Sequence, residues 1–298
     1  MTVCSDAESR LVRECVDRQG EGLAITHLQD VSPRGPAGCV RDAAAGTDAQ
    51  TLVVADATAL PMVDLEAVLA AHRAACASVT VVVGHDAAGR LSPAGAYVFE
   101  RSVCSFVPDH GYYDIKEQLL PRLYRAGHEV RTFTAGALPP RLLNVDSYLA
   151  LNEWVITRVF DPAAPPEGFE SRDGAYIHRT ASVDHEARLL GPVLVGPGAS
   201  VGRGAALVGP VIVGAGSVIG ADAVVSRSVV ADGSLVGGRS FVDRSIVAER
   251  AVVASGSVVL SAVHVGSPSA RRSAWLQQWR TAWTSIRVAL RIPETQSS

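Results

Sequence analysis

From Ile177 to Val225 an aliphatic residue stands at every sixth position without a miss: Ile177, Val183, Leu189, Val195, Val201, Leu207, Val213, Ile219 and Val225. After one five-residue step the series resumes at Val230, Val236 and Val242, and after another at Val247, Val253, Val259 and Val265. Four residues after most of these comes a small or β-branched residue, among them Ala181, Ala187, Ala199, Ala205, Ser217 and Ala223. A fixed short period is the mark of a solenoid, whose units cannot bury their apolar faces alone and stack into one continuous column.

A slower period lies over the first. The segments starting at Gly191, Gly209, Arg227 and Arg244 are 17 or 18 residues apart. Three hexads per coil give that spacing, so each coil is read as a triangle with one side per hexad. On the third side the small position is filled by a larger residue: Val193, Val211, Val229, Ile246 and Val263. Glycines fall where the chain must turn. An antiparallel sandwich has no reason to keep such a phase over about five coils. The pattern resembles the hexapeptide repeat of left-handed parallel β-helices. The hand rests on that resemblance, since ordinary crossovers are right-handed.

The chain has 298 residues, enough for two domains, with a net charge of −3 that gives no bulk attraction to nucleic acid. Five scattered cysteines, without a Cys-x-x-Cys pair, read as reduced thiols of a cytoplasmic protein. No basic start followed by an apolar run suggests a signal peptide, and no apolar stretch approaches the roughly 20 residues of a membrane span.

Residues 1–157 alternate strand-like and helix-like segments. Thr51 to Ala55, Ser78 to Val83 and Gly95 to Phe99 are apolar runs of strand length. Leu65 to Ala75, Ile115 to Ala126 and Val145 to Val159 read as helices, the first two entered through Asp64 and Asp114. This predicts an α/β domain with a parallel or mixed sheet covered on both faces. A Pro-rich linker (158–175), the β-helix (176–266) and a tail (267–298) follow.

Five segments of the front region resemble, in order, motifs of the sugar-1-phosphate nucleotidyltransferases. They are Pro33 to Ala43 (Pro-Arg-Gly-Pro-Ala-Gly-Cys-Val-Arg-Asp-Ala), Leu52 to Asp56 with the helix from Asp64, Ala94 to Phe99, Tyr113 to Pro121, and Asn144 to Asn152. A hexapeptide β-helix after such a domain is common in that family. The resemblance implies an incomplete Rossmann-like nucleotidyltransferase domain, a left-handed parallel β-helix and a C-terminal helix.

It also implies a site. Gly35, Gly38 and Asp56 align with nucleotide-binding positions, although a plain turn is the favoured reading of the two glycines. Asp56 and Asn144 align with two metal-holding carboxylates, which would take Mg²⁺ in an active enzyme. Three family features are missing. There is no Gly-x-Gly-Thr-Arg-Leu loop to cradle phosphates, the chain starting near the family's second strand at Thr2-Val3-Cys4. Gly84 to Pro93 is too short for the Glu-Lys-Pro motif and lacks it, and Asn144 is neutral where the second carboxylate belongs.

These losses point to a degenerate regulatory or assembly subunit in nucleotide-sugar and surface-polysaccharide biosynthesis. The alternatives are an active NDP-sugar pyrophosphorylase and a hexapeptide-repeat acyltransferase. For the acyltransferase the general base would be a histidine, with His185 beside Asp184 and Glu186 the best placed. A homo-oligomer or a partner subunit completing the truncated sheet is expected, with a nucleotide sugar as candidate ligand.

In the tail, Trp275, Trp279, Trp283, Ile286 and Leu290 share one helical face, with arginines at 271, 272, 280, 287 and 291. A capping helix packed on the solenoid or a neighbour is the favoured reading. Peripheral contact of residues 269–292 with an anionic membrane is the alternative.

Overall fold

The computed structural model describes residues 1–6, 12, 24–30, 33–60, 62–161 and 163–265. The C-terminal helix expected over 267–298 lies outside them. The chain divides into two compact units, Met1–Pro139 and Pro140 onward.

In the first unit, β1 (Thr2–Asp6) and β2 (Thr26–Asp30) form a parallel pair. Then come α1 (Gly35–Ala45), β3 (Thr51–Ala55), α2 (Leu65–Ala74), β4 (Val79–His85), β5 (Leu91–Glu100), α3 (Leu120–Arg125) and β6 (Val130–Ala137). The last four strands make a mixed sheet in the order β3-β5-β4-β6, with only β4 and β6 parallel. Both faces are covered, as the apolar runs require. Ala37, Leu119 and Leu123 pack on Val79, Val81 and Phe99 on one face, and Val68 packs on Val82 and Val98 on the other. Both predicted caps form. Asp64 accepts from Glu66 N and Ala67 N, and Asp114 accepts from Lys116 N and Glu117 N.

The second unit opens with α4 (Val145–Trp154), continued by a wide turn over Val155–Val159. β7 (Phe169–Arg172) and β8 (Ala175–His178) pair antiparallel, and from β8 onward the chain winds as a parallel β-helix. Three stacked sheets form its sides, two of five strands and one of seven that includes β7. The hexad aliphatics point inward and stack rung on rung, as in Val195, Val213 and Val230. Three residues past an inward aliphatic the chain turns through positive φ, at Gly198, Gly204, Gly216, Asp222, Gly233, Arg239, Arg250 and Gly256.

The five-residue steps change what one side looks like. Val229 and Ile246 were expected in the small interior position. They instead face outward, in register with Leu194 and Ile212. Dropping one residue from the coil shifts the alternation by one, and Ser228 and Ser245 take the buried place. Their hydroxyls are satisfied by backbone: Ser228 Oγ donates to Ser226 O and accepts from Ser245 N, and Ser245 Oγ donates to Asp243 O.

The outward column Leu194, Ile212, Val229 and Ile246 is buried all the same. Leu149 and Ile156 of the α4 segment line a narrow crevice together with Ile212 and Val229. Tyr148 of α4 is buried too, and desolvation pushes its phenol up to about 12. This helix, read from sequence as the end of the front region, therefore packs with the solenoid.

Candidate functional site

Asp56 follows β3, whose end is tied to β5 by the bond from Asp56 N to Gly95 O (2.7 Å). Its Oδ1 accepts from Thr58 N at 2.9 Å and from Thr58 Oγ1 at 2.8 Å, while Ala59 N donates to its carbonyl. This is a local Asx turn, the usual use of an aspartate two residues before a threonine in a loop.

Gly35 and Gly38 lie in the first turn of α1 rather than in the free turn that Pro36 suggested, because a proline at the second helical position suits a helix start. Gly35 has φ +70°, and a β-carbon there would meet Tyr113 O at 2.8 Å and the Tyr112 ring at 3.0 Å. Tyr113 O also accepts from Ala37 N at 3.1 Å. A β-carbon at Gly38 would meet Arg34 Cβ at 2.6 Å. Both close approaches are thus filled by the protein itself.

Asn144 belongs to the second unit, as N-cap of α4. Its Oδ1 accepts from Ser147 N at 2.9 Å, and Ser147 Oγ accepts from Asn144 N at 2.8 Å, a full capping box. A neutral amide offers a metal one good oxygen, and here that oxygen holds the helix start. The residues present therefore do not fit a two-carboxylate Mg²⁺ site. Among the described residues no cluster of three or more His, Cys, Asp or Glu side chains could hold a metal ion. The cap predicts that Asn144→Ala lowers stability by about 1 kcal/mol, while Asn144→Asp keeps it. Urea melts of the two variants check this; equal losses would contradict the capping role.

The stretch Gly84 to Pro93 is the β4–β5 hairpin. It turns on Asp86, whose carboxylate accepts from Ala88 N, Arg90 N and Arg90 Nε. The bond from Arg90 leads the contacts that lower its pKa. No lysine stands there. The only lysine of the chain is Lys116, exposed in the turn after Asp114.

Other polar groups are engaged as well. Beside α1 a shallow groove carries Arg41 and Arg122, but Arg41 pairs with Asp109, and Arg122 Nη1 donates to Phe106 O at 3.0 Å. His72, which the sequence reading passed over, is buried on α2 and bonds Thr80 Oγ1 at 2.8 Å and Glu100 Oε1 at 3.1 Å. Its only signal was an apolar helix face carrying one histidine. It ties α2 to the sheet and has no access to solvent. His185 is the opposite case: its side chain is 86% exposed, 3.5 Å from Asp184 and 3.7 Å from Glu186. His178 bonds Thr180 Oγ1 at 2.8 Å, and His264 bonds Val252 O at 2.9 Å.

Residues 189–269 match the family profile described as the GMPPB C-terminal domain. The solenoid resembles that domain. The match bears out the resemblance to nucleotidyltransferases with a C-terminal hexapeptide β-helix, and it agrees with the left-handed parallel β-helix expected from the repeat. No curated protein matches the chain by sequence. Among solved structures, HddC from Yersinia pseudotuberculosis superposes with a TM-score of 0.39 and 9% identity, over 46% of this chain and 69% of its own. Among the described residues no helix is long and apolar enough to cross a membrane.

Proposed function

We propose that this chain serves nucleotide-sugar biosynthesis for surface polysaccharide as a non-catalytic subunit, regulating or assembling with an active nucleotidyltransferase in the cytoplasm. One observation carries the non-catalytic part: the only metal-binding oxygen of Asn144 is spent in the capping box of α4. The Asx turn at Asp56 and the lysine-free hairpin at 85–91 support it. The similarity of 189–269 to the GMPPB C-terminal domain supports the pathway. A partner chain, or a second copy, is part of the reading. Among the described residues β3 is one of the two outer strands of its sheet, with Val53 exposed, and an outer strand can pair with another chain.

Nucleotidyl transfer rests on positioning and on neutralising the phosphates. Losing one such stabiliser costs on the order of 10²–10³ in rate, and here a metal carboxylate and the sugar-phosphate lysine are both lacking. The purified chain, given Mg²⁺, a nucleoside triphosphate and a sugar 1-phosphate, is expected to release no pyrophosphate above background. Asp56→Ala should leave that result unchanged. Pyrophosphate release that depends on the sugar 1-phosphate and disappears in Asp56→Ala would establish the active enzyme instead. Acyl-CoA consumption lost in His185→Ala would establish an acyltransferase.

A further inference from the structure

The solenoid has three sides, and among the described residues α4 covers one of them. On the next side the outward residues in register are Ser182, Ser200, Val218, Leu235 and Val252. The column thus changes from hydroxyl to aliphatic along the axis. Its apolar end stands open, with Val218 40%, Leu235 39% and Val252 57% exposed. Aliphatic side chains stacked on three successive rungs make a continuous strip, not a scatter of single exposed residues.

The chain leaves the solenoid at that end. Its last strand is Val263–His264, and the hexad series stops at Val265. In each earlier coil the residues after the corresponding strand lead onto the Ser182–Val252 side, as from Val247 to Val252. His264 is already bonded to Val252 O at 2.9 Å. The described chain thus ends at Val265 beside the most exposed member of the strip, and the 33 residues that follow in sequence carry the stripe Trp275, Trp279, Trp283.

We infer that the Trp275–Trp283 stripe of the tail docks, as a helix, on the strip Val218, Leu235 and Val252 of its own solenoid. The dimensions agree. At about 1.5 Å per residue the three tryptophans span about 12 Å. Two strand spacings of about 4.8 Å put Val218 about 10 Å from Val252. The nine residues from Gly266 to Ala274, including Pro268, are enough to turn the chain back. The arginines at 280 and 287 then keep their charged ends in water. The third side, with Val224, Phe241 and Val258 in register, is the competing surface, but in each described coil it comes after the strip.

The full-length protein with Trp154→Phe reports on the three tail tryptophans alone. Their emission should be blue-shifted, weakly quenched by acrylamide and independent of protein concentration. Leu235→Arg should red-shift it, raise quenching several-fold and speed tryptic cleavage at Arg271 and Arg272, with the far-UV melt of the solenoid unchanged. Val252→Lys should do the same, and Phe241→Arg should not. An unchanged signal in Leu235→Arg with Val252→Lys, or a response only to Phe241→Arg, overturns the assignment. Burial that is lost on dilution names a second copy as the occupant, and burial that appears only on adding phosphatidylglycerol vesicles names a membrane; either result also overturns it.

Discussion

Val213→Asp is expected to unfold the solenoid. Val213 is fully buried and stacks in register between Val195 and Val230, in the middle of the inner column. Removing its aliphatic contacts costs about 1.5–3 kcal/mol. The carboxylate that replaces them enters the aliphatic inner column with no cation to pair with it there, and an unpaired buried charge adds several kcal/mol more. Together these approach the roughly 5–15 kcal/mol that holds a whole domain folded. Each coil is held mainly by its neighbours, so a break in the middle separates both halves. Far-UV spectroscopy and urea melts read the result. Val258→Asp, at an outward site that is 65% exposed, is the control and should be tolerated. A native spectrum and melt for Val213→Asp would mean that the hexad residues do not form the core.

A second large loss is expected from Gly220→Ala. A β-carbon at Gly220 would overlap Gly238 N, and would come within 2.8 Å of Gly238 Cα and 2.9 Å of the Gly237 carbonyl carbon. All three are backbone atoms of the next coil and cannot swing aside. Overpacking alone costs roughly 1–3 kcal/mol. Parting the coils also strains the bond from Gly220 N to Val236 O at 2.7 Å. Gly216→Ala is the informative comparison. Gly216 has φ +64°, but no atom lies within 4 Å of its added β-carbon. Only the backbone strain of about 1–2 kcal/mol applies there. Asp222, Arg239 and Arg250 already bear that strain at the equivalent turn, with φ of 56°, 57° and 54°. Urea midpoints that fall equally for the two variants would show that coil spacing does not discriminate between them.

Much of this protein was legible before any coordinates. An inward side chain must be apolar at a fixed interval along its own strand, so the hexads recorded both the inner column and the number of coils. The helix starts at Asp64 and Asp114 were legible for a similar reason, since a cap acts within two or three residues of itself. What the sequence left open depends on residues far apart in the chain. The alternation at Val229 and Ile246 could be read only once the shortened coil was laid against Ile212 and Leu194. Gly35 looked like a turn because nothing local announces Tyr112 and Tyr113 as the groups that fill the space above it. Asn144 is the exception: aligned as a metal position, it gives its oxygen to Ser147, only three residues on, in a cap that the local sequence could have announced. The α4 segment, read as part of the front region, lies on the solenoid because an apolar outward column there needs a cover. Periodicity states which way a side chain points from its own strand; what it meets on the far side is decided only when distant segments are brought together.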